Sequence, residues 1–183
     1  MQNLSFNKIH DHFAEISKKI FDEDGELSPI LFAMQLAPDD TGEMIIERGS
    51  ILNGETFEKM FNGEDGKRKM MSFIKDVVDE ASELHQHFKK TMEIDVNAVI
   101  QVSEAWMGKQ VDPSATVVPP SQDPERKEAV IVAIHNKWCK TVVGVHEVHE
   151  TPSRHLVVSK LDPAVKVEGE MVSNPSSSQF GPH

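Results

Sequence analysis

Residues 128–149 read EAVIVAIHNKWCKTVVGVHEVH, and this stretch decides the fold. Val130, Val132 and Ile134 recur at every second position, and so do Thr141, Val143 and Val145. A period of two is the signature of a β-strand with one face on a core. The link Asn136–Cys139 is too short for a crossover, so the two strands are antiparallel neighbours. Residues 150–153 (ETPS) make a second tight link, into a last strand at 155–161, HLVVSKL. Upstream, 96–107 (VNAVIQVSEAWM) places Val96, Ala98, Ile100 and Val102 at the same period. Four antiparallel strands follow, a meander, which excludes a doubly wound parallel sheet for the C-terminal half.

Working outward, residues 30–37 (ILFAMQLA) and 43–48 (EMIIER) flank the turn 38–42, PDDTG, and read as a β-hairpin. Residues 4–21 are helical, with Phe6, Ile9, Phe13, Ile16 and Ile20 on one stripe. Ser5 or Asn3 is the expected cap and Asp24-Gly25 the expected end. A short helix is expected over Gly54–Phe61, broken by residues 63–66 (GEDG). The longest helix is then expected over 67–90, with an apolar stripe from Met70 through Ile74, Val77, Ala81 and Leu84 to Phe88. The expectation is an α+β fold, a largely antiparallel sheet of C-terminal meander and N-terminal hairpin, with amphipathic helices on one face. Residues 1–161 form its single domain. Residues 108–127 make a long proline-rich loop, a length often tied to function. Residues 162–183 lack apolar periodicity and read as a disordered tail.

The 183 residues include one cysteine, Cys139, so a disulfide scaffold is excluded. The N-terminus has no basic segment leading into an apolar run, and no stretch approaches a membrane span, so a cytoplasmic protein is expected. The net charge is −11, and residues 1–65 carry 14 acids against 5 bases. No basic stripe is present for a phosphate backbone, and no nucleic-acid partner is expected. The acidic third is either a solvated surface or one that attracts a basic partner.

Nine histidines invite a metal hypothesis. In residues 146–150 (HEVHE) the histidines are three apart on a β-patterned segment, not four apart on a helix, so this is no zinc-protease motif. His10/His12 and His85/His87 are two apart on helices and do not face each other. A site drawing His135, His149 and His155 from neighbouring strands is geometrically allowed, but no local ligand spacing supports it, and no metal or other cofactor is assigned. Cys139 carries no catalytic signature. Phosphate-binding, nucleotide-binding and nucleophile-elbow motifs are absent from the sequence.

One group stands out. Glu104 follows Val102 on the apolar face, where a carboxylate needs a partner. Arg126, Lys127 and Glu128 open the next strand, so Glu104 is expected to meet Arg126 or Lys127. Either this is a salt bridge that fixes the base of the loop, or Glu104, Trp106, Asp123, Arg126 and Glu128 form a binding pocket beneath it. Paired carboxylates there would suit acid–base work or a divalent ion.

The strand ending Ser103-Glu104-Ala105-Trp106, the proline-rich loop and residues 123–128 (DPERKE) together resemble a pattern in uncharacterised bacterial and phage proteins. The resemblance covers about a fifth of the chain and implies a microbial or phage accessory protein, without catalytic residues. Three functions are therefore weighed: a non-enzymatic protein-binding factor, favoured by the acidic third and the missing catalytic motifs; a carboxylate- or histidine-dependent hydrolase, with or without a metal; and an assembly component joined through its tail or an edge strand.

Overall fold

A computed structural model describes residues 4–52, 65–107 and 124–161. The segments expected as a short helix (54–61), most of the proline-rich loop and the C-terminal tail (162–183) lie outside the described residues.

The elements in chain order are α1 (Asn7–Asp24), β1 (Ile30–Pro38), β2 (Met44–Leu52), α2 (Gly66–Val78), α3 (Glu83–Met92), β3 (Ala98–Met107), β4 (Lys127–Asn136), β5 (Val142–His149) and β6 (His155–Val157). The strands form one six-stranded sheet of order β2-β1-β3-β4-β5-β6. Every neighbour pair is antiparallel. The architecture is α+β, as the alternation in 96–149 requires. No described helix is long and apolar enough to cross a membrane.

Both faces of the sheet carry helices, where one covered face was expected. On one face Phe32, Ile100, Val132 and Ile134 pack against Phe13 and Phe21 of α1. On the other, Leu31, Ala33 and Val99 pack against Met70, Ile74 and Val77 of α2. The central strands are therefore apolar on both sides, and complete burial of Phe13 and Phe21 contributes roughly 1.5–3 kcal/mol each. Val96 precedes β3 and packs on the α2 side while Ala98 packs on the α1 side, so they do not share a face as the period suggested.

The expected long helix over 67–90 is two helices. Asp79 leaves helical geometry, and its carboxylate accepts from the Ala81 N–H at 3.0 Å. Ser82 then caps α3, its hydroxyl accepting from the Leu84 N–H at 3.1 Å. The last strand holds only three residues of the expected seven.

Helix α1 runs across the sheet from β2 to β6. At its start the cap position falls to Phe6 rather than Ser5, whose hydroxyl accepts from the Asn7 N–H at 3.4 Å, while the alternative cap, Asn3, lies outside the described residues. The Lys8 N–H instead donates to the Glu43 carboxylate at 2.8 Å. Near its end Asp22 accepts from the Leu156 N–H at 2.8 Å and the Lys18 ammonium donates to the Leu156 carbonyl at 2.8 Å. Gly25 closes the helix at φ +75, a left-handed value that glycine adopts without penalty.

Candidate functional site

The register of β3 and β4 sets Glu104 opposite Val130 and Trp106 opposite Glu128. Direct antiparallel partners share a face, so the four lie together on the α1 side. Glu104 is half-buried, and its Oε1 accepts from the Leu27 N–H at 2.7 Å. Burial raises its pKa, with repulsion from Glu128 and Glu26 adding to the effect; the Leu27 N–H and Arg154 oppose it.

The cation paired with Glu128 is Arg154, a residue the sequence did not single out. Its Nη2 pairs with the Glu128 carboxylate, its Nη1 donates to Glu150 at 3.2 Å, and its Nε donates to the Gly25 carbonyl at 2.8 Å. The guanidinium also lies 5.2 Å from the Phe21 ring centre. One side chain thus ties the end of α1 to β4 and to the turn before β6. The expected meeting of Glu104 with Arg126 or Lys127 is replaced. Arg126 stacks over the Trp106 ring at 4.3 Å, and Lys127 sits opposite Met107 with its ammonium 3.8 Å from Glu147. Glu104, Trp106 and Glu128 are thus neighbours on two adjacent strands, with Arg126 just before β4, whereas Asp123 lies outside the described residues. A carboxyl of raised pKa beside a second carboxylate is the pairing that acid–base chemistry requires. Arg154 pairs with Glu128 and spends its donors on three parts of the fold.

Buried histidines form a second set of polar features. His10 on α1 and His146 on β5 are fully buried with Nε2 atoms 3.2 Å apart. On the opposite face His135 Nε2 donates to Gln101 Oε1 at 3.2 Å, Gln101 Nε2 donates to the Ser103 hydroxyl at 3.3 Å, and the Thr141 hydroxyl lies 3.2 Å from His135 Nδ1. His85 Nδ1 lies 2.9 Å from the Val77 carbonyl and its Nε2 lies 3.1 Å from Asp95. Burial pushes His135 and His146 down to a pKa of about 4. The signal for His10 was its place on the apolar stripe, four residues after Phe6 and three before Phe13.

His135 stands beside Thr141, at the opposite end of β5 from His149, so the three strand histidines do not converge. Among the described residues no three His, Cys, Asp or Glu side chains are grouped to hold a metal. Cys139 is exposed, its thiol 3.2 Å from the Lys140 carbonyl.

The sheet's borders differ. At one edge β6 is three residues long; at the other β2 is nine. Residues 45–49 of β2 are all exposed, and Ile45, Ile46 and Ile51 keep 41%, 38% and 63% of their surface in solvent. A bulge at Glu47, marked by the register shift opposite Gln35/Leu36, interrupts the strand. Asp39, Asp40 and Glu43 lie in and beside the turn leading into it.

Comparison with protein-family models, with curated proteins and with solved structures finds no match to this chain.

Proposed function

We propose that this chain is a non-enzymatic accessory factor that binds another protein, of the bacterial or phage kind that its residues 96–132 resemble. Such a factor works in the cytoplasm, the host's if it is phage-encoded. The observation that carries this reading is the β2 border: a long edge strand exposing Ile45, Ile46 and Ile51 beside Asp39, Asp40 and Glu43. Exposed apolar edges are a hazard that proteins ordinarily cover or blunt. One flanked by carboxylates suits a partner with an apolar contact ringed by lysine or arginine.

The test is retention of a partner by the immobilised full chain and by its Ile51→Asp variant, at low and moderate salt. A basic protein held in stoichiometric amount, weakened by salt and lost with Ile51→Asp, supports the reading. No retained protein at either salt, or equal retention by the variant, overturns it. Concentration-dependent self-association abolished by Ile51→Asp would instead support an assembly role.

A carboxylate-dependent hydrolase is the second reading. It is favoured by the raised pKa of Glu104 beside Glu128. It requires a hydrolysis that Glu104→Gln abolishes while the fold persists.

A further inference from the structure

We propose that His149 and His155 form a two-histidine site for a divalent first-row transition ion of the zinc, nickel or copper type. The two residues are direct partners across the antiparallel pair β5–β6. Such partners share a face and hold their Cβ atoms about 5 Å apart. Their ring centres are 5.7 Å apart.

Strand alternation explains how residues 146–149 supply one half of the site. His146 points inward to His10 and is fully buried. Glu147 and His149 are two apart and lie on the opposite, outer face. There the Glu147 Oε2 lies 3.3 Å from His149 Nε2. A carboxylate only accepts, so His149 Nε2 carries the proton and its Nδ1 holds the lone pair. The same logic applies across the strand. His155 Nδ1 lies 2.6 Å from the Ser153 carbonyl, so Nδ1 is the donor and Nε2 holds the lone pair. Each imidazole therefore has one nitrogen anchored by an oxygen and the other available. Metal-binding histidines show this arrangement, the second N–H given to a carboxylate or a backbone carbonyl. Neutral imidazole is the ligand suited to zinc, nickel and copper.

The His149 side chain is 47% exposed, so an ion reaches it from solvent. Lys127, 3.8 Å from the same Glu147 oxygen, is a further charged group at the site, and Asp22 interacts electrostatically with His155. Ala129, directly opposite Glu147 on β4, contributes only a methyl group. With two protein ligands, water completes the coordination. Glu147 acts as a positioning residue through His149. Because β6 is only three residues long, a bound ion would cross-link it to β5 and fasten that border of the sheet.

The test uses the full chain, first stripped with a chelator, then titrated with Zn2+ and separately with Ni2+. Thermal unfolding and equilibrium dialysis are the readouts. The expected result is one ion per chain at this site and a melting temperature that rises with ion concentration. His149→Ala and His155→Ala each abolish that ion and the rise. Glu147→Gln weakens binding by about tenfold or more, as loss of an anchoring partner does. His149 lies outside β6, so an unchanged metal-free melting temperature for His149→Ala shows that the fold is intact. Absence of a bound ion, or binding unchanged in His149→Ala, overturns the proposal.

Discussion

The Nε2 atoms of His10 and His146 lie 3.2 Å apart inside the interface between α1 and β5. Their outer nitrogens settle the proton positions. His146 Nδ1 accepts from the Ser159 N–H at 3.0 Å, so its Nε2 carries hydrogen and donates to His10 Nε2. His10 Nδ1 then donates to the Asp11 carboxylate at 2.9 Å. The chain of bonds from Ser159 to Asp11 is complete only while both rings are neutral. A proton on His146 Nδ1 removes the bond to Ser159 and places charge in an apolar interface.

This arrangement makes stability depend on pH. The folded pKa values of His146 and His135 are depressed from 6.5 to about 4. Above about pH 6.5 neither folded nor unfolded chain binds these protons, and the full stability is present. As pH falls from 6.5 towards 4 the unfolded chain takes up protons that the folded chain refuses, so stability is lost. The loss approaches about 3 kcal/mol for each histidine. Urea unfolding at pH 7.5 and pH 4.5 checks this. Equal unfolding free energies at the two values would rule out buried neutral histidines.

The histidine pair also depends on Gly144. A Cβ at that position would lie 2.1 Å from His10 Nε2, and His10 is held by Asp11 and His146. Gly144→Ala is expected to cost about 1–3 kcal/mol, the usual range for overpacking. Removing the obstacle should change the answer, because contacting residues are not additive. In a His10→Ala background the added methyl group should cost less than half as much. Denaturant midpoints of the four proteins give the comparison, and equal costs in both backgrounds would show that the clash is relieved elsewhere.

Ser82 is a smaller but sharper case. Its hydroxyl caps α3 through the Leu84 N–H. Ser82→Ala is expected to cost about 1 kcal/mol, and Ser82→Gly only a few tenths. An alanine variant as stable as the parent in urea would mean that the cap contributes nothing.

Ser82 also shows where the sequence could have been read further. Asp79 and Ser82 are polar residues of the kind that end and restart helices, yet the apolar stripe from Met70 to Phe88 continues through the break, because α2 and α3 press the same side of the sheet. The strands were legible for the converse reason. In β4 and β5 the short link at 136–139 leaves antiparallel pairing as the only option. What alternation could not show was that β3 and β4 are central, with Gln101, Ser103 and His135 buried on the face opposite the apolar row. Glu104 was legible as a carboxylate in need of a partner. Arg154 was not, because it stands in a turn far along the chain, and only the register of β4, β5 and β6 brings it to Glu128.

Glu104 separates a structural from a chemical role at that group. Its pKa is raised by burial, so ionisation opposes folding: the penalty is absent well below the ordinary carboxyl range and present above it. Glu104→Gln removes the ionisable group and keeps an oxygen for the Leu27 N–H. At pH 7 it should therefore be at least as stable as the parent, and the advantage should vanish in acid, where Glu104 is already neutral. Glu104→Ala deletes that acceptor and leaves a partly buried N–H unpaired, at a cost of about 1–3 kcal/mol. Urea unfolding of the three proteins at pH 7 and pH 4 makes the comparison. A glutamine variant clearly less stable than the parent at pH 7 would mean that Arg154 and the Leu27 N–H already outweigh burial, and that Glu104 is held as a structural anion.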